Sequence, residues 1–283
     1  MLNQEQREYL LTKAYNAALR AGARILDIYN SCDDYVIDIK SDHTPITLAD
    51  REAHTLIKEY LGQTRIPLLS EEGRDLLYEE RRRWDLFWMV DPLDGTKEFL
   101  KGNGEFTINI ALMCDNHPAI GVVYVPYIGR IYFSDDRIGA FRKERVPADA
   151  TAEEAYEALF EGADRLPVTT QANDPIVIAI SRSHNTDETF AHIDRVRMQH
   201  PDARIVEQGS SYKLCLLAEG TVDYYPRTSP TYEWDTAAGQ AILEAAGGSL
   251  CELRGDGEGA ALCYNKESLH NPHFVCRNKF MVK

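Results

Sequence analysis

Apolar residues recur at helical spacing in two stretches of the N-terminal part of the chain, and composition predicts a further helix. Across residues 4–30, leucine, alanine and isoleucine share one face and charged residues share the other, which predicts a long first helix. A second helix is predicted to end near Leu61, with Thr47 or Asp50 at its start. Residues 147–165 are acidic and rich in alanine, and they predict a surface helix.

Strand patterns occupy most of the sequence between these helices. Residues 66–69 are a short apolar segment that leads to Glu71 and Glu72. Because adjacent strand positions face opposite ways, only one of these two carboxylates can enter a shared site. An edge strand is predicted at residues 35–40, and the charged run at residues 79–83 is predicted to lie on the surface. Alternating apolar and polar positions predict a meandering antiparallel sheet over 106–113, 120–125, 130–134 and 139–142.

The second half of the chain alternates strands with helices, which favours an α/β layer. Asp235 lies in the first turn of a helix dense in small residues, and this helix should be packed on all sides. The other predicted elements of this half are strands at 176–180, 204–207 and 222–227, helices at about 187–198 and 209–219, and closing strands at 249–253, 260–264 and 274–276.

Residues 88–99 (WMVDPLDGTKEF) carry the candidate chemistry. A buried strand over residues 86–90 is predicted to end at Asp91, because Pro92 removes a hydrogen-bond donor and restricts the residue before it. Two carboxylates three positions apart, Asp91 and Asp94, are costly at the mouth of a buried strand unless a cation neutralises them. The backbone N–H groups that follow form a candidate anion site. A cation site beside an anion site is what metal-assisted phosphate chemistry requires.

Simpler explanations of the same residues stay open at this point. Asp-Pro-Leu-Asp-Gly is also an ordinary connection between a strand and a turn. Asp50 is also a carboxylate in the first turn of a helix, where the helix dipole favours it. Asp235 could be a helix cap or a ligand presented from a helix N-terminus.

Composition excludes several classes of function. The 283-residue chain has a formal net charge of −14, which argues against a nucleic-acid backbone as partner. No apolar run approaches the ~20 residues that span a bilayer, and the N-terminal residues have no signal-peptide pattern, so a cytoplasmic protein is expected. The six cysteines contain no C-x-x-C pair, which argues for reduced thiols and against a zinc site.

Two motifs, WxVDPLDGTKEF and WDTAAGxAILxAAGG, resemble the signatures of the inositol monophosphatase superfamily of magnesium-dependent, lithium-sensitive phosphatases. KSDxTPITxAD, LLSEE, NGEFTINIAL, GSSYKxC and YYPR resemble one branch more closely, the bacterial CysQ-type 3′(2′),5′-bisphosphate nucleotidases. The resemblance covers about residues 10–250. It implies an α/β (α+β) fold with α-β-α-β-α layers and an active site between two lobes. We place the N-terminal α+β lobe, with most metal ligands, at 1–168 and the C-terminal α/β lobe, with the specificity residues, at 169–283.

The resemblance also implies a role for individual residues. Two to three Mg²⁺ ions would be bound by carboxylates and one backbone carbonyl, an all-oxygen set that suits this ion. The implied ligands are Glu71 (also counted as catalytic), Asp91, the carbonyl of Leu93, Asp94 and Asp235. Asp50 and the Thr96 hydroxyl would orient and deprotonate a water activated by the ions, so no nucleophilic serine or cysteine is expected. The amides of Gly95 and Thr96 would hold the scissile phosphate.

The nucleotidase branch further implies contacts with a bisphosphate nucleotide. His184, Ser210, Lys213 and Arg227 occupy the corresponding positions, and fixed cations in an acidic protein suit a second phosphate remote from the metal ions. Inositol monophosphatases tend to have an acidic residue near the position of Arg227. Two simpler explanations stay open, namely that Lys213 is a solvated helix residue and that His184 has only a structural role.

The sequence therefore predicts hydrolysis of the 3′-phosphate of adenosine 3′,5′-bisphosphate to AMP and phosphate in sulfur metabolism. The sulfated analogue, 3′-phosphoadenosine 5′-phosphosulfate, is a plausible second substrate. The nearest rival is an inositol or sugar monophosphatase on the same scaffold, and a more distant one is a non-catalytic Mg²⁺ and nucleotide-binding regulator. A homodimer and peripheral association with the cytoplasmic face of the inner membrane stay open. Residues 143–168 exceed the short connector of compact relatives.

Overall fold

The computed structural model describes residues 2–31, 38–39, 45–149, 154–255 and 257–282. Helix α1 (Gln4–Asn30) begins with a capping box, in which Asn3 and Gln6 each accept the other's backbone N–H. The short strands β1 (Asp38–Ile39) and β2 (Pro45–Ile46) form a hairpin. β1 lies within the predicted edge strand at residues 35–40, and the rest of that strand lies outside the described residues. Residues 41–44 of the KSDxTP motif also lie outside them. Helix α2 (Leu48–Gly62) follows, with Thr47 as its N-cap.

Seven strands form the first sheet, in the order in which they occur along the chain. The first two strands are parallel and all later neighbours are antiparallel, which confirms the predicted meander. The elements are β3 (Leu68–Ser70), α3 (Tyr78–Arg81), β4 (Leu86–Asp94), α4 (Thr96–Leu100), β5 (Thr107–Cys114), β6 (His117–Val125), β7 (Arg130–Asp135), β8 (Gly139–Lys143), α5 (Tyr156–Phe160) and β9 (Asp164–Arg165).

The predicted helix at 147–165 is wrong for most of its described length, because only α5 is helical. Tertiary contacts favour strand pairing after it: Asp164 lies opposite Arg142 across the ladder, and the Arg142 guanidinium donates to the Asp164 carboxylate at 2.8 Å. Phe160 packs edge-on against Phe141 of β8 at 5.0 Å between ring centroids. Residues 150–153 lie outside the described residues.

A second sheet of six strands contains the remaining strands, in the order β11-β10-β12-β15-β13-β14. The elements of this half are β10 (Val177–Ser181), α6 (Asp187–Gln199), β11 (Arg204–Gln208), α7 (Tyr212–Glu219), β12 (Tyr224–Arg227), α8 (Glu233–Ala245), β13 (Ser249–Arg254), β14 (Gly257–Ala261) and β15 (Phe274–Arg277). Strand β10 is parallel to both β11 and β12, so the three strands have their carboxyl ends at one edge.

The elements form five layers, which confirms the predicted α-β-α-β-α architecture. Helices α1 and α2 cover one face of the first sheet, α7 and α8 lie between the two sheets, and α6 covers the outer face of the second. Both faces of β4 are buried, because Trp88 packs toward α1 and α2 while Phe87 and Met89 pack toward α7 and α8. The strands of the first sheet all precede those of the second along the chain, in the same order as the predicted lobes. The hydrophobic core between the two sheets, however, combines side chains from both halves of the chain. The boundary at residue 168 stays a prediction.

No helix of the described ranges has the length and apolar character needed to cross a membrane. The five described cysteines are free: Cys114, Cys215, Cys251, Cys263 and Cys276.

Candidate active site

Strand β4 does not end at Asp91, as its sequence predicts, but continues through Pro92 to Asp94. Asp91 pairs with Asn109 and Asp94 with Thr107, so β4 accommodates one extra residue in a bulge. Proline is tolerated there because a bulge leaves a residue unpaired in the ladder. Positions three apart in a regular strand face opposite ways, but the bulge reverses this alternation. Both carboxylates therefore line the same cleft.

Three carboxylates from distant parts of the chain meet in this cleft. One oxygen each from Glu71, Asp91 and Asp235 can be chosen so that all three lie within 4.8 Å of one another. Glu71 follows β3, and its N–H donates to the Val90 carbonyl at 3.1 Å, which brings it beside the end of β4. Glu71 lines the cleft and Glu72 does not, so one of the two carboxylates enters the site as predicted, although both lie in the turn after β3. Asp235 also accepts the Tyr232 N–H at 2.8 Å, so it is a helix cap as well as a member of the cluster.

Burial and mutual repulsion make this cluster unfavourable without a cation. Asp91 is 1 % exposed, and burial followed by the charge of Glu71 raises its pKa well above the usual range. Burial, then Asp94 and Glu71, likewise raise the pKa of Asp235. Concentrated carboxylate oxygens are the donors that hard divalent cations prefer. The residues present therefore fit a divalent metal ion.

Asp50 lies behind Thr96 rather than in the wall of the cleft. Its Oδ2 accepts the N–H of Thr47 at 2.8 Å and the Thr47 hydroxyl, and its Oδ1 accepts the Thr96 hydroxyl at 3.1 Å. Burial raises the pKa of Asp50, although its hydrogen bonds with Thr47 oppose this change. The carboxylate is thus both a helix cap and a partner of a hydroxyl that lines the cleft.

Gly95 connects β4 to α4 in a left-handed conformation, with φ at 93°. A side chain at this position would place Cβ 2.9 Å from the Glu105 carbonyl oxygen, so glycine is required both for the conformation and for the close approach. Leu93, Gly95 and Thr96 all line the cleft. The segment proposed to hold the scissile phosphate therefore lies beside the carboxylates.

The four predicted nucleotide contacts line the same cleft from the second half: His184, Ser210, Lys213 and Arg227. They lie at or after the carboxyl ends of β10, β11 and β12, where α/β sheets commonly bind ligands. Lys213 is 3 % exposed, and its Nζ donates to the carbonyls of Ser210 at 2.6 Å and Gln208 at 3.0 Å. The alternative that Lys213 is a solvated helix residue is therefore wrong. Burial, then the charge of Arg227, lowers its pKa to about 7.

Arg227 and Lys97 complete a cationic end of the cleft. The Arg227 guanidinium donates to backbone carbonyls of Ser229 at 3.3 Å, His184 at 3.4 Å and Pro230 at 3.4 Å. Nζ of Lys97 lies 3.1 Å from Nε2 of His184, and burial, then Arg227 and Lys97, lower the pKa of that histidine. The neutral ring can therefore accept a hydrogen bond from Lys97. One cleft of about 220 Å³ is thus lined by the carboxylates of Glu71, Asp91, Asp94 and Asp235, here called its acidic end, and by a group of basic side chains, here called its basic end. The basic group comprises Lys97, His184, Lys213 and Arg227.

Sequence reasoning did not assign the residues that hold Asp94. The Ser211 backbone N–H and hydroxyl both lie 2.5 Å from Oδ2 of Asp94, and the Asn109 side-chain amide donates to the Ser211 hydroxyl oxygen at 2.7 Å. Ser211 and Asn109 are buried. Ser211 belongs to the motif GSSYKxC and Asn109 to the motif NGEFTINIAL. Membership in these motifs is the sequence feature that could have identified them as site residues. Lys97 likewise belongs to the motif WxVDPLDGTKEF, but the sequence analysis assigned it no role.

The predicted surface location of residues 79–83 is wrong for Arg81, which is 2 % exposed. Its Nη1 donates to the side-chain oxygen of Asn265 at 2.9 Å, and the Asn265 N–H donates to the buried Glu233 carboxylate at 2.6 Å. Glu233 opens helix α8, two positions before Asp235. This network holds the helix end that presents Asp235, and its partners are too distant in sequence to be inferred.

Comparison with known proteins places this geometry in context. The chain matches the sequence model of the inositol monophosphatase family over residues 6–279. The 3′(2′),5′-bisphosphate nucleotidase CysQ of Salmonella typhimurium is 39 % identical over 268 residues, which cover 94 % of this chain and 98 % of that protein. The CysQ nucleotidase of Buchnera aphidicola is 40 % identical, with 85 % of this chain and 83 % of that protein covered. The crystal structure of CysQ from Bacteroides thetaiotaomicron, described as a bacterial member of the inositol monophosphatase family, superposes with a TM-score of 0.86 at 43 % identity, covering 95 % of this chain and 97 % of that one.

Proposed function

Because this chain belongs to the inositol monophosphatase family, we propose that it is a 3′(2′),5′-bisphosphate nucleotidase that converts adenosine 3′,5′-bisphosphate to AMP and phosphate. The observation that carries the proposal is the polarity of the cleft. Its acidic end suits a metal-assisted phosphoryl group, and its basic end, with Lys213 and Arg227, suits a second phosphate. A monophosphate substrate would leave these two buried or half-buried cations without a phosphate partner.

We propose that two to three Mg²⁺ ions are held by Glu71, Asp91, Asp94, Asp235 and the Leu93 carbonyl. The metal dependence of the family and the cluster of Glu71, Asp91 and Asp235 support this assignment. When bound, such ions neutralise charge on phosphoryl oxygens and acidify water.

The chain's own residues would move the proton of the attacking water. The Thr96 hydroxyl donates its hydrogen to Asp50, so the Thr96 oxygen is free to accept a proton from water. As the Thr96 oxygen takes that proton, Asp50 receives the original hydroxyl proton. The raised pKa of Asp50 suits it to this role of base. The water oxygen then bonds to phosphorus and the bond from phosphorus to the ribose 3′-oxygen breaks. That oxygen takes a proton from solvent water, and the protonated Asp50 releases its own proton to solvent before the next turnover. The amides of Gly95 and Thr96 would orient the phosphate oxygens.

The basic end would bind the nucleotide and its second phosphate. His184, Ser210, Lys213 and Arg227 are the proposed contacts. The sulfated analogue presents the same 3′-phosphate, so we propose it as a second substrate whose product is adenosine 5′-phosphosulfate. Both reactions belong to sulfur assimilation.

Phosphate release from adenosine 3′,5′-bisphosphate and from inositol 1-phosphate, each with Mg²⁺ and with EDTA, tests the proposal. We expect release that depends on Mg²⁺ and strongly favours the nucleotide. Preference for the inositol ester would be consistent with the proposed metal site but would refute the substrate assignment. No release from either ester, with nucleotide binding intact, would favour the binding-protein alternative.

We also propose a small-molecule partner rather than nucleic acid, since the net charge of −14 repels a phosphate backbone. The cytoplasmic location, peripheral association with the inner membrane, the homodimer and lithium sensitivity stay predictions.

A further inference from the structure

Glu105 of the first half joins two loops of the second half, and residues of both loops line the cleft. Its carboxylate accepts two hydrogen bonds from the Arg182 guanidinium, each of 2.6 Å, and a third from the Gly209 N–H at 2.8 Å. Arg182 follows β10 and Gly209 follows β11. One carboxylate therefore tethers the loops that lead to His184 and to Ser210.

The backbone around Glu105 packs closely against Gly209 and Gly95. A Cβ on Gly209 would lie 2.9 Å from the Glu105 Cβ and carbonyl oxygen, and a Cβ on Gly95 would also lie 2.9 Å from that oxygen. Ser210, next to Gly209, has φ at 51°, a left-handed conformation that is uncommon for serine. Glu105 is thus packed against both the glycine proposed to hold the scissile phosphate and the loop proposed to bind the nucleotide.

Lys213 depends on the same loop. The carbonyls that accept its Nζ hydrogen bonds belong to Gln208 and Ser210, which flank Gly209. A displacement of Gly209 would therefore move both acceptors and the ammonium that they orient. The effect would reach the basic end of the cleft without any direct contact between Glu105 and a ligand.

We infer that Glu105 is a positioning residue that sets the preference for a bisphosphate over a monophosphate nucleotide. It does so by fixing the position of the Gly209 loop and of Arg182 relative to the first half of the protein. This inference rests on the proposed function and deepens it. An ordinary surface ion pair would contribute little, but this pair is bidentate, has a third hydrogen bond and connects residues 77 and 104 positions apart.

Glu105 stays ionised for this role. Burial raises its pKa, but the hydrogen bonds from Arg182 and Gly209 outweigh that effect, and the net result is a lowered pKa. The chain also offers a matched control, because Glu207 approaches the same guanidinium at 3.4 Å from a solvent-exposed position and has no bond to Gly209.

The test compares Glu105→Gln, Glu105→Ala and the control Glu207→Gln. The KM and kcat of each would be measured for adenosine 3′,5′-bisphosphate and for adenosine 3′-monophosphate, which lacks the second phosphate. We expect Glu105→Gln to raise the KM for the bisphosphate about tenfold, with a much smaller change for the monophosphate. Glu105→Ala should have a larger effect in the same direction, and Glu207→Gln should resemble the wild type.

Amide hydrogen exchange of residues 209–213 supplies a readout that is independent of turnover. Exchange should accelerate in Glu105→Ala and not in Glu207→Gln. Equal rises in KM for both nucleotides, or equal behaviour of the Glu105 and Glu207 variants, would overturn the inference. If the wild-type protein shows no preference for the bisphosphate, the proposed function fails, and unchanged exchange in Glu105→Ala would then refute the positioning role as well.

Discussion

The Thr96 hydroxyl donates a 3.1 Å hydrogen bond to Oδ1 of Asp50, across 46 positions of sequence. The other carboxylate oxygen caps helix α2 through Thr47. A single buried side chain therefore connects the start of a helix with the wall of the cleft. Its two oxygens have separate partners, so the observed capping role is compatible with the proposed catalytic role.

Asp50→Asn should lower kcat about 10²–10⁴-fold, because an amide cannot accept the proton that Thr96 passes on. Thr47→Ala removes the capping hydroxyl but keeps the carboxylate, and it should lower the free energy of unfolding by about 1 kcal/mol with a much smaller loss of kcat. Steady-state phosphate release and urea denaturation measure the two effects. Equal losses of kcat in the two variants would show that Asp50 acts only as a cap.

Ser211→Ala should weaken metal binding about 10–100-fold, because Asp94 loses the hydroxyl bonded to Oδ2 and retains only the backbone N–H of residue 211. Activity at saturating Mg²⁺ should recover much of the loss. The Mg²⁺ concentration for half-maximal activity and calorimetric Mg²⁺ binding both check this. Ser134→Ala is the control, since Ser134 is buried and its hydroxyl has no partner among the described residues. An unchanged Mg²⁺ requirement in Ser211→Ala would contradict the prediction.

Binding of the product AMP should weaken above pH 7, because the ligand-free Lys213, with its pKa lowered to about 7, is then mostly neutral. A bound 5′-phosphate favours the ammonium form, so binding must take up a proton above that pH. The affinity should fall by up to about tenfold for each pH unit above the pKa of Lys213. Calorimetry in buffers of different ionisation enthalpy measures the proton uptake. Lys213→Met should abolish it, and persistence in that variant would assign the proton to another group.

Asp235→Asn should abolish phosphate release and yet raise the Tm of the metal-free protein. The substitution removes one of several neighbouring carboxylates that repel one another, and the amide oxygen can still accept the Tyr232 N–H. In this size class, 1 kcal/mol corresponds to roughly 2–4 °C. Thermal denaturation in EDTA and in Mg²⁺ checks the effect, and Mg²⁺ should stabilise the wild type more than the variant. The exposed Asp202 provides the control Asp202→Asn. A lower Tm in EDTA would show that the cluster is not under repulsion.

Gly121→Ala should destabilise the fold by about 1–3 kcal/mol through overpacking. The new Cβ would lie 2.5 Å from the Ala238 carbonyl oxygen and 2.7 Å from the Ala241 Cβ, where α8 lies against β6. Gly62→Ala, at the end of α2, meets no atom within 4 Å and should be neutral or slightly stabilising. Urea denaturation of both variants gives the comparison. Similar stabilities would mean that the layers separate easily at this contact.

The elements of this protein and the chemistry of its site are encoded over short distances in the sequence. Apolar periodicity is a local property, so it determined helix α1, the antiparallel meander and the alternating second half. The spacing of Asp91 and Asp94 beside a buried strand made a cation site one candidate, alongside an ordinary connection between a strand and a turn. The resemblance of whole motifs, and not their chemistry alone, pointed to Asp50 and to the contacts in the second half.

Tertiary structure decided what depends on partners far away in the chain. The bulge at Pro92 is stable because β5 pairs on both sides of it, and it alone brings Asp91 and Asp94 to one cleft. The helix predicted at 147–165 gave way to pairing with β8, and Arg81 is buried because Asn265 accepts its hydrogen bond. Glu105 binds Arg182 across 77 positions. Local pattern contains no information about such contacts, because their free energy depends on burial and geometry that exist only after the layers have packed.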